Sequence, residues 1–88
     1  MKAVLVHGAW ADGSSWSEVI RILQDHGQAV TAVQLPMTSL EADIDTTRRA
    51  IVAAAAPVVL VGHSYGGFVI SAAAVRLPAV KALVFVAA

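Results

Sequence analysis

One short turn restricts what this chain can fold into more than any other feature of its sequence. Val58–Val61 is an uninterrupted apolar run, which predicts a strand covered on both faces. Gly62–Gly66, with the sequence GHSYG, follows directly and fits G-x-S-x-G, and Gly66–Leu77 has the pattern of a helix. In so tight a strand-to-helix turn, side chains two residues either side of the serine would collide, so both positions need glycine. The turn therefore predicts an α/β fold in which the Ser64 hydroxyl stands clear of a sheet.

The rest of the chain alternates between strand and helix patterns. Apolar runs predict three further strands, at Ala3–Val6, Ala29–Leu35 and Val80–Val86. Strands that alternate with helices imply parallel pairing through right-handed crossovers, with helices on both faces of the sheet. The length of 88 residues allows one small domain. We therefore expect residues 1–88 to form a single β-α-β-α-β-α-β unit, a three-layer sandwich around a four-stranded parallel sheet.

The helix starts are predicted from capping boxes, in which a serine or threonine is followed three residues later by glutamate. Ser15 with Glu18 predicts the start of the first helix, and Thr38 with Glu41 predicts the start of the second. Four aspartates outside these pairs are expected to be surface charges on loops and helices: Asp12, Asp25, Asp43 and Asp45.

Composition narrows the classes of function. Six basic and six acidic residues give no net charge, which argues against nucleic acid and anionic membrane surfaces as partners. The absence of cysteine excludes disulfides, thiolate zinc sites and a cysteine nucleophile. The apolar run around residues 50–62 is interrupted by Pro57 and is too short for a bilayer. Asp12 and Glu18 follow the start too closely for a secretory signal, so we expect a cytoplasmic protein.

Two segments of the sequence resemble a known family. Val4–Trp10 (VLVHGAW) and Val61–Gly67 (VGHSYGG), with Trp16 between them, look like the N-terminal half of an α/β-hydrolase. The chain is most similar to small esterases of the methylesterase and hydroxynitrile-lyase type. The resemblance implies a sheet order 2-1-3-4, Ser64 as the nucleophile, and the backbone amides of Ala9 and Tyr65 as an oxyanion hole.

The other residues of the two segments take supporting roles in this interpretation. Residues that shape the turn and the loop after the first strand are His7, Gly8, Gly62, His63, Gly66 and Gly67. Trp10 is a candidate wall of a substrate pocket. The same resemblance places a catalytic acid and a catalytic histidine after the nucleophile, on loops beyond later strands, and this sequence stops before them. We therefore expect a truncated hydrolase core that acts weakly, or not at all, on small esters and takes no cofactor.

Two alternatives remain open. Gly8-x4-Gly13-Ser14-Ser15 lies between a strand and a helix as a phosphate-binding P-loop does, although Ser14 stands where that motif has lysine. The chain could instead be an autonomous folding unit without catalytic activity. No histidine has a carboxylate at metal-ligand spacing, so no metal site is expected.

The last predicted strand bears on association. The sequence is 58% apolar and 14% charged, against about 45–50% and about 25% in ordinary soluble domains, which suits a chain that buries surface against a partner. Val80–Val86 would be an edge strand whose only charge is Lys81. Unpaired strands of this kind template association. We therefore expect a homodimer, through antiparallel pairing of this strand or exchange of a C-terminal segment.

Overall fold

A computed structural model describes all residues, 1–88. Four strands alternate with three α-helices in the order β1 (Lys2–Val6), α1 (Ser17–Asp25), β2 (Val30–Val33), α2 (Leu40–Ala54), β3 (Val58–His63), α3 (Tyr65–Ala73) and β4 (Val80–Val86). A 3-10 turn, Gly13–Trp16, leads into α1. The strands form one parallel sheet in the order β2-β1-β3-β4, which confirms the predicted fold class and strand order.

Helices cover both faces of the sheet. On one face, Val4 and Leu60 pack with Ile51 of α2 and Ile70 of α3 in a buried apolar cluster. On the other face, Leu5 and its neighbours pack against Trp16 and the first turns of α1. Alternate residues of β1 therefore enter different clusters, as the period of two in a strand requires. The result is the predicted three-layer sandwich.

The register of β1 against β3 brings two loops together. Val6 lies opposite Gly62, so the two strands reach the same level at their carboxyl ends. The loop that begins at His7 and the turn at Ser64 therefore emerge side by side, between neighbouring strands whose crossovers run in opposite directions. Open α/β sheets bind ligands at such a switch point.

Two predicted boundaries are wrong at the second strand and the third helix. β2 ends at Val33 instead of Leu35, because β1 supplies partners only up to Val6, which pairs with Val33. α3 ends at Ala73 instead of Leu77. At this end of the helix, a guanidinium nitrogen of Arg48 donates a hydrogen bond to the Ala73 carbonyl at 3.1 Å.

Both predicted capping boxes are also wrong. Asp12 caps the 3-10 turn by accepting from the Ser14 amide at 2.8 Å, and Ser15 only donates to the Asp12 carbonyl. Ser39, not Thr38, caps α2, since its hydroxyl accepts from the Ala42 amide at 3.0 Å. Each true cap has the extended backbone that points its side chain at the first free amides of the helix.

The longest helix, α2, has 15 residues, and no helix of the structure has the length and apolarity needed to cross a bilayer.

Candidate functional site

Ser64 occupies a strained turn between β3 and α3. Its φ of 52° and ψ of −119° lie in a region that residues with a Cβ rarely adopt. The strain is maintained by close packing on both sides. A Cβ on Gly62 would lie 2.6 Å from the carbonyl oxygen of Gly66, and one on Gly66 would overlap the carbonyl of Val6. The two glycines therefore stand where the sterics of the turn predict.

Two backbone hydrogen bonds fix the turn in place. The Ser64 amide donates to the Val86 carbonyl at the end of β4 at 3.0 Å, and the Gly67 amide donates to the Ser64 carbonyl at 2.9 Å. Gly67 itself lies under Phe85, whose ring carbon Cδ2 would be 3.0 Å from an added Cβ. The Ser64 side chain remains exposed. The hydroxyl is therefore accessible while its backbone is held by two strands and a helix.

The loop after β1 lies directly against this turn. A Cβ on Gly8 would lie 3.3 Å from Cβ of Ser64 and 3.2 Å from the His63 carbonyl oxygen. The amides of Ala9 and Tyr65, which the resemblance assigns to an oxyanion hole, make none of the hydrogen bonds of the surrounding turns, loops and caps. Both N–H groups are therefore left without an acceptor in the surrounding turns and loops.

His7 holds the loop from beneath. Its ring is fully buried, and Nε2 accepts from the Leu35 amide at 3.1 Å. Because Nε2 accepts, Nδ1 carries the proton, and it donates to the Gly8 carbonyl at 2.8 Å. Both ring nitrogens bond to the backbone, so the geometry gives His7 a structural role, and neither nitrogen bonds to Ser64.

A small cavity opens beside the turn. It has a volume of about 180 Å³ and is lined by Ser15, Trp16, Val19 and His63. The rings of Trp16 and His63 pack edge to face, with centroids 6.4 Å apart and an interplanar angle of 82°. The candidate pocket residue Trp10 is instead wholly exposed and lines no cavity. The aromatic residue that lines this cavity is Trp16.

No histidine is hydrogen-bonded to the Ser64 hydroxyl. His7 is used as described, and His26 bonds through Nδ1 to the Ile22 carbonyl at the end of α1. His63 is exposed and makes no hydrogen bond with Ser64, its neighbour in the chain. The 88 residues thus present a serine and two free amides without a general base in contact.

The predicted surface position of Asp43 is wrong, because this residue is only 1% exposed. One carboxylate oxygen accepts from the Tyr65 hydroxyl at 2.6 Å and the other from the Met37 amide at 2.9 Å. The pKa of Tyr65 is raised to about 12, mainly by loss of solvent around its hydroxyl. The hydrogen bond to Asp43 and the negative charge of that carboxylate contribute smaller shifts in the same direction. A carboxylate of α2 therefore reaches the residue that follows Ser64.

The backbone amides of the loop argue against the P-loop alternative, because they are already hydrogen-bonded within the chain. The Gly13 amide donates to the Gln34 side chain at 2.9 Å, and the Ser14 amide donates to the Asp12 carboxylate. The hydrogen bonds from the Ser14 hydroxyl and the Ser14 amide hold the pKa of Asp12 below its usual range. These two amides are already bonded to side chains, and the Asp12 carboxylate would repel an anion, so the loop does not favour a phosphate.

The largest groove of the molecule, about 500 Å³, lies away from this turn. It runs between the C-terminal end of α2 and the start of β4, and Lys81 is its only charged lining residue. Apart from Lys81, its lining side chains are apolar, and it has no serine, histidine or carboxylate. The candidate chemistry therefore lies at the turn around Ser64, whose neighbour His63 lines the smallest cavity.

Comparison with known proteins supports the same family. A model of the alpha/beta hydrolase family matches residues 3–88. The chain is 37% identical to Esterase PIR7B of Oryza sativa subsp. japonica, across 96% of this chain and 35% of that protein. It is 36% identical to Norfluorocurarine synthase 1 of Strychnos sp, across 74% of this chain and 29% of that protein.

Solved structures match the fold closely. The crystal structure of the pyrethroid hydrolase PytH with BIF superimposes with a TM-score of 0.84 and 26% identity, covering 97% of this chain and 39% of that one. A variant of PytH gives a TM-score of 0.83 with the same coverage. The chain thus spans 29% to 39% of the length of these proteins. Its strand order, its turn around Ser64 and a family match over all but two residues lead to one conclusion: the chain belongs to the alpha/beta hydrolase family.

Proposed function

We propose that this chain carries the nucleophile and oxyanion-binding half of a serine hydrolase active site. The observation that carries the proposal is the strained backbone of Ser64 beside two free amides, those of Ala9 and Tyr65. Donors fixed in advance around a developing oxyanion are usually the largest single contribution to catalysis of acyl transfer. The start of α3 at Tyr65 adds the positive end of a helix dipole at the same point.

The proposed substrates are small carboxylic esters. The Ser64 hydroxyl oxygen forms a bond to the ester carbonyl carbon, and the carbonyl oxygen becomes an oxyanion held by the two amides. Collapse of this intermediate breaks the bond to the alcohol and leaves an acyl group on Ser64, which water then removes. The proton of the Ser64 hydroxyl passes through water to the oxygen of the departing alcohol, since no histidine is in contact with the hydroxyl. The name of one relative, an esterase, supports the same substrate class.

The rate expected from these 88 residues alone is low. A serine hydroxyl without an adjacent base is a weak nucleophile at neutral pH. Serine proteases that lose a triad member retain roughly 10³–10⁴-fold acceleration over water through the oxyanion hole and binding. We therefore expect measurable hydrolysis of activated aryl esters and very slow hydrolysis of unactivated ones.

The test compares the chain with two serine variants on a p-nitrophenyl ester. Ser64→Ala removes the proposed nucleophile, whereas Ser71→Ala removes a hydroxyl of α3 that only donates to the Gly67 carbonyl. We expect the first to lower the rate at least tenfold and the second to leave it unchanged. Equal rates for the chain and Ser64→Ala would eliminate Ser64 from the chemistry and favour a folding unit without activity.

A second candidate role, a structural homodimer, is favoured by one observation. Every residue from Lys81 to Val86 is exposed, and β4 pairs only with β3, so its other edge is unpaired. We propose that a second copy of the chain pairs antiparallel along this edge, because a two-fold contact satisfies both edges at once. Exchange of the C-terminal segment between two copies is the variant of the same contact.

A further inference from the structure

We propose that Asp43 is a positioning residue for the oxyanion hole, acting through the side chain of Tyr65. The inference rests on the proposed function, because it concerns the amide that would hold the oxyanion. The Asp43 carboxylate lies on α2, 21 residues before Ser64 in the chain. In this proposal it fixes the orientation of the peptide that follows the nucleophile.

The contacts of Asp43 support a dedicated role. Its carboxylate is buried without a cation, since the ion pairs of the chain involve other residues. Removing a carboxylate from water is costly unless strong hydrogen bonds replace its solvent. Here the replacements are the Tyr65 hydroxyl at 2.6 Å and the Met37 amide at 2.9 Å. One oxygen thus holds the loop before α2, and the other holds the residue after Ser64.

The start of α3 needs such a contact. Ser64 occupies the N-cap position but makes no side-chain capping hydrogen bond, so the first turn of the helix lacks the usual cap. The strain at Ser64 would be relieved by rotating the peptide between Ser64 and Tyr65, which carries the Tyr65 amide. A ring that is fixed at its hydroxyl resists this rotation. The bond to Asp43 therefore keeps the amide directed at the proposed oxyanion position.

The obvious alternative is that the contact only adds stability. Thr47 provides a matched control, because its buried hydroxyl donates to the Asp43 carbonyl at 2.9 Å on the same helix without a hydrogen bond to Tyr65. Thr47→Val therefore removes a buried hydrogen bond of α2 and leaves the carboxylate contact in place. A purely structural role predicts the same outcome for Thr47→Val and Tyr65→Phe.

Two measurements on the folded protein distinguish a positioning role of Asp43 from a purely structural one. The first is the order parameter of the residue 65 amide from nitrogen-15 relaxation, for which rigid backbone gives about 0.85 and flexible backbone less than about 0.6. The second is the rate at which a fluorophosphonate modifies Ser64. For Tyr65→Phe we expect the order parameter to fall below that of β3, and the rate to fall about tenfold, less than the roughly 10²–10³ for loss of a whole donor. Thr47→Val should change neither quantity, although it lowers the melting temperature.

A conservative variant of Asp43 adds a rescue test. In Asp43→Asn the carboxamide oxygen faces the Met37 amide, which can only donate, and the NH₂ group faces the Tyr65 hydroxyl, which can accept. The ring stays attached, so we expect most of the labelling rate to return relative to Asp43→Ala.

Failure of this inference differs from failure of the proposed function. Unchanged order and unchanged labelling in Tyr65→Phe would overturn the positioning role while Ser64 remains reactive. A chain that is never labelled at Ser64 would contradict the proposed function, and the order parameter of residue 65 would still decide whether Asp43 fixes that peptide.

Discussion

Tyr65 is the only tyrosine of the chain, so the absorbance of its phenolate reports on one site. Partial burial and the hydrogen bond to Asp43 raise its pKa to about 12 from an ordinary value of 10.0. We expect a spectrophotometric titration of the folded chain to give a midpoint near pH 12, and Asp43→Asn to lower it. A midpoint near 10 with unchanged circular dichroism would show that the hydroxyl is not held by the carboxylate.

The same shift affects stability at alkaline pH. Because the folded-state pKa of Tyr65 lies above the unfolded value, its contribution to the free energy of unfolding is complete below about pH 10 and decreases as the pH rises towards 12. The Tyr65→Phe variant is the reference, because it lacks only the phenol hydroxyl. The alkaline loss of stability should be steeper in the chain than in this variant. Identical profiles would contradict the contact.

At the scale of residues, the sequence predicts geometry set by neighbouring residues, but it does not predict contacts between residues far apart in the chain. Gly62 and Gly66 follow from the steric demands of the turn, which involve only neighbouring residues. The burial of Asp43 depends on Tyr65, 22 residues later, and on the Met37 amide. No helical period or capping signal in the sequence indicates this contact between distant residues, so the sequence predicts a surface charge at Asp43.

At the scale of elements, two adjacent arginines of α2 have different roles. Arg48 is half-buried and donates to the carbonyls of Ala73 and Val75, at 3.1 and 2.9 Å, where α3 ends. Hydrogen bonds to charged groups contribute about 1.5–3 kcal/mol. Arg49 forms an exposed ion pair with Asp45 at 2.7 Å, and such pairs contribute about 0–1 kcal/mol.

Methionine at each position tests this difference, since it keeps most of the aliphatic chain. We expect Arg48→Met to lower the free energy of unfolding by about 1–3 kcal/mol, measured by urea denaturation. Arg49→Met should lower it by less than about 0.5 kcal/mol. Equal losses would mean that the end of α3 does not depend on Arg48.

Element types followed from the sequence more reliably than element ends. Apolar runs and helical stripes reflect which face of each element is buried, so they predict the element types. The observed order of strands and helices confirms this prediction. The ends of the elements depend on which hydrogen-bond partners the rest of the fold brings close. β2 stops where β1 ends, and Ser39 caps α2 because its backbone, and not that of Thr38, points the hydroxyl at Ala42.

At the scale of the whole molecule, the apolar excess remains partly exposed. Only 20 of 88 residues are buried in a chain that is 58% apolar. The exposed apolar side chains include Leu83, Val84, Phe85 and Val86, on both faces of β4. A register shift opposite Val58 and Val59 and the charge of Lys81 protect only the start of this strand.

The dimer is tested by placing a charge on this edge. Phe85 is unsuitable because it covers Gly67, so Val84→Lys is the informative variant, with Val52→Lys as a control that adds the same charge on α2. At tens of micromolar, sedimentation should show a dimer for the chain and for Val52→Lys, and a monomer or aggregate for Val84→Lys. A chain that sediments as a monomer would contradict the proposed pairing.

The most direct test of the central claim is to identify the residue that a fluorophosphonate modifies. The chain offers serines on loops and helices as internal controls: Ser14, Ser15, Ser17, Ser39 and Ser71. The proposed oxyanion hole, with the helix start at Tyr65, would favour a tetrahedral adduct at Ser64 even without a base. Peptide mass spectrometry of the folded chain should therefore find the phosphonyl group on Ser64 alone, and urea should abolish the labelling. Modification spread over several serines, or none at Ser64, would contradict a preorganised nucleophile at this turn.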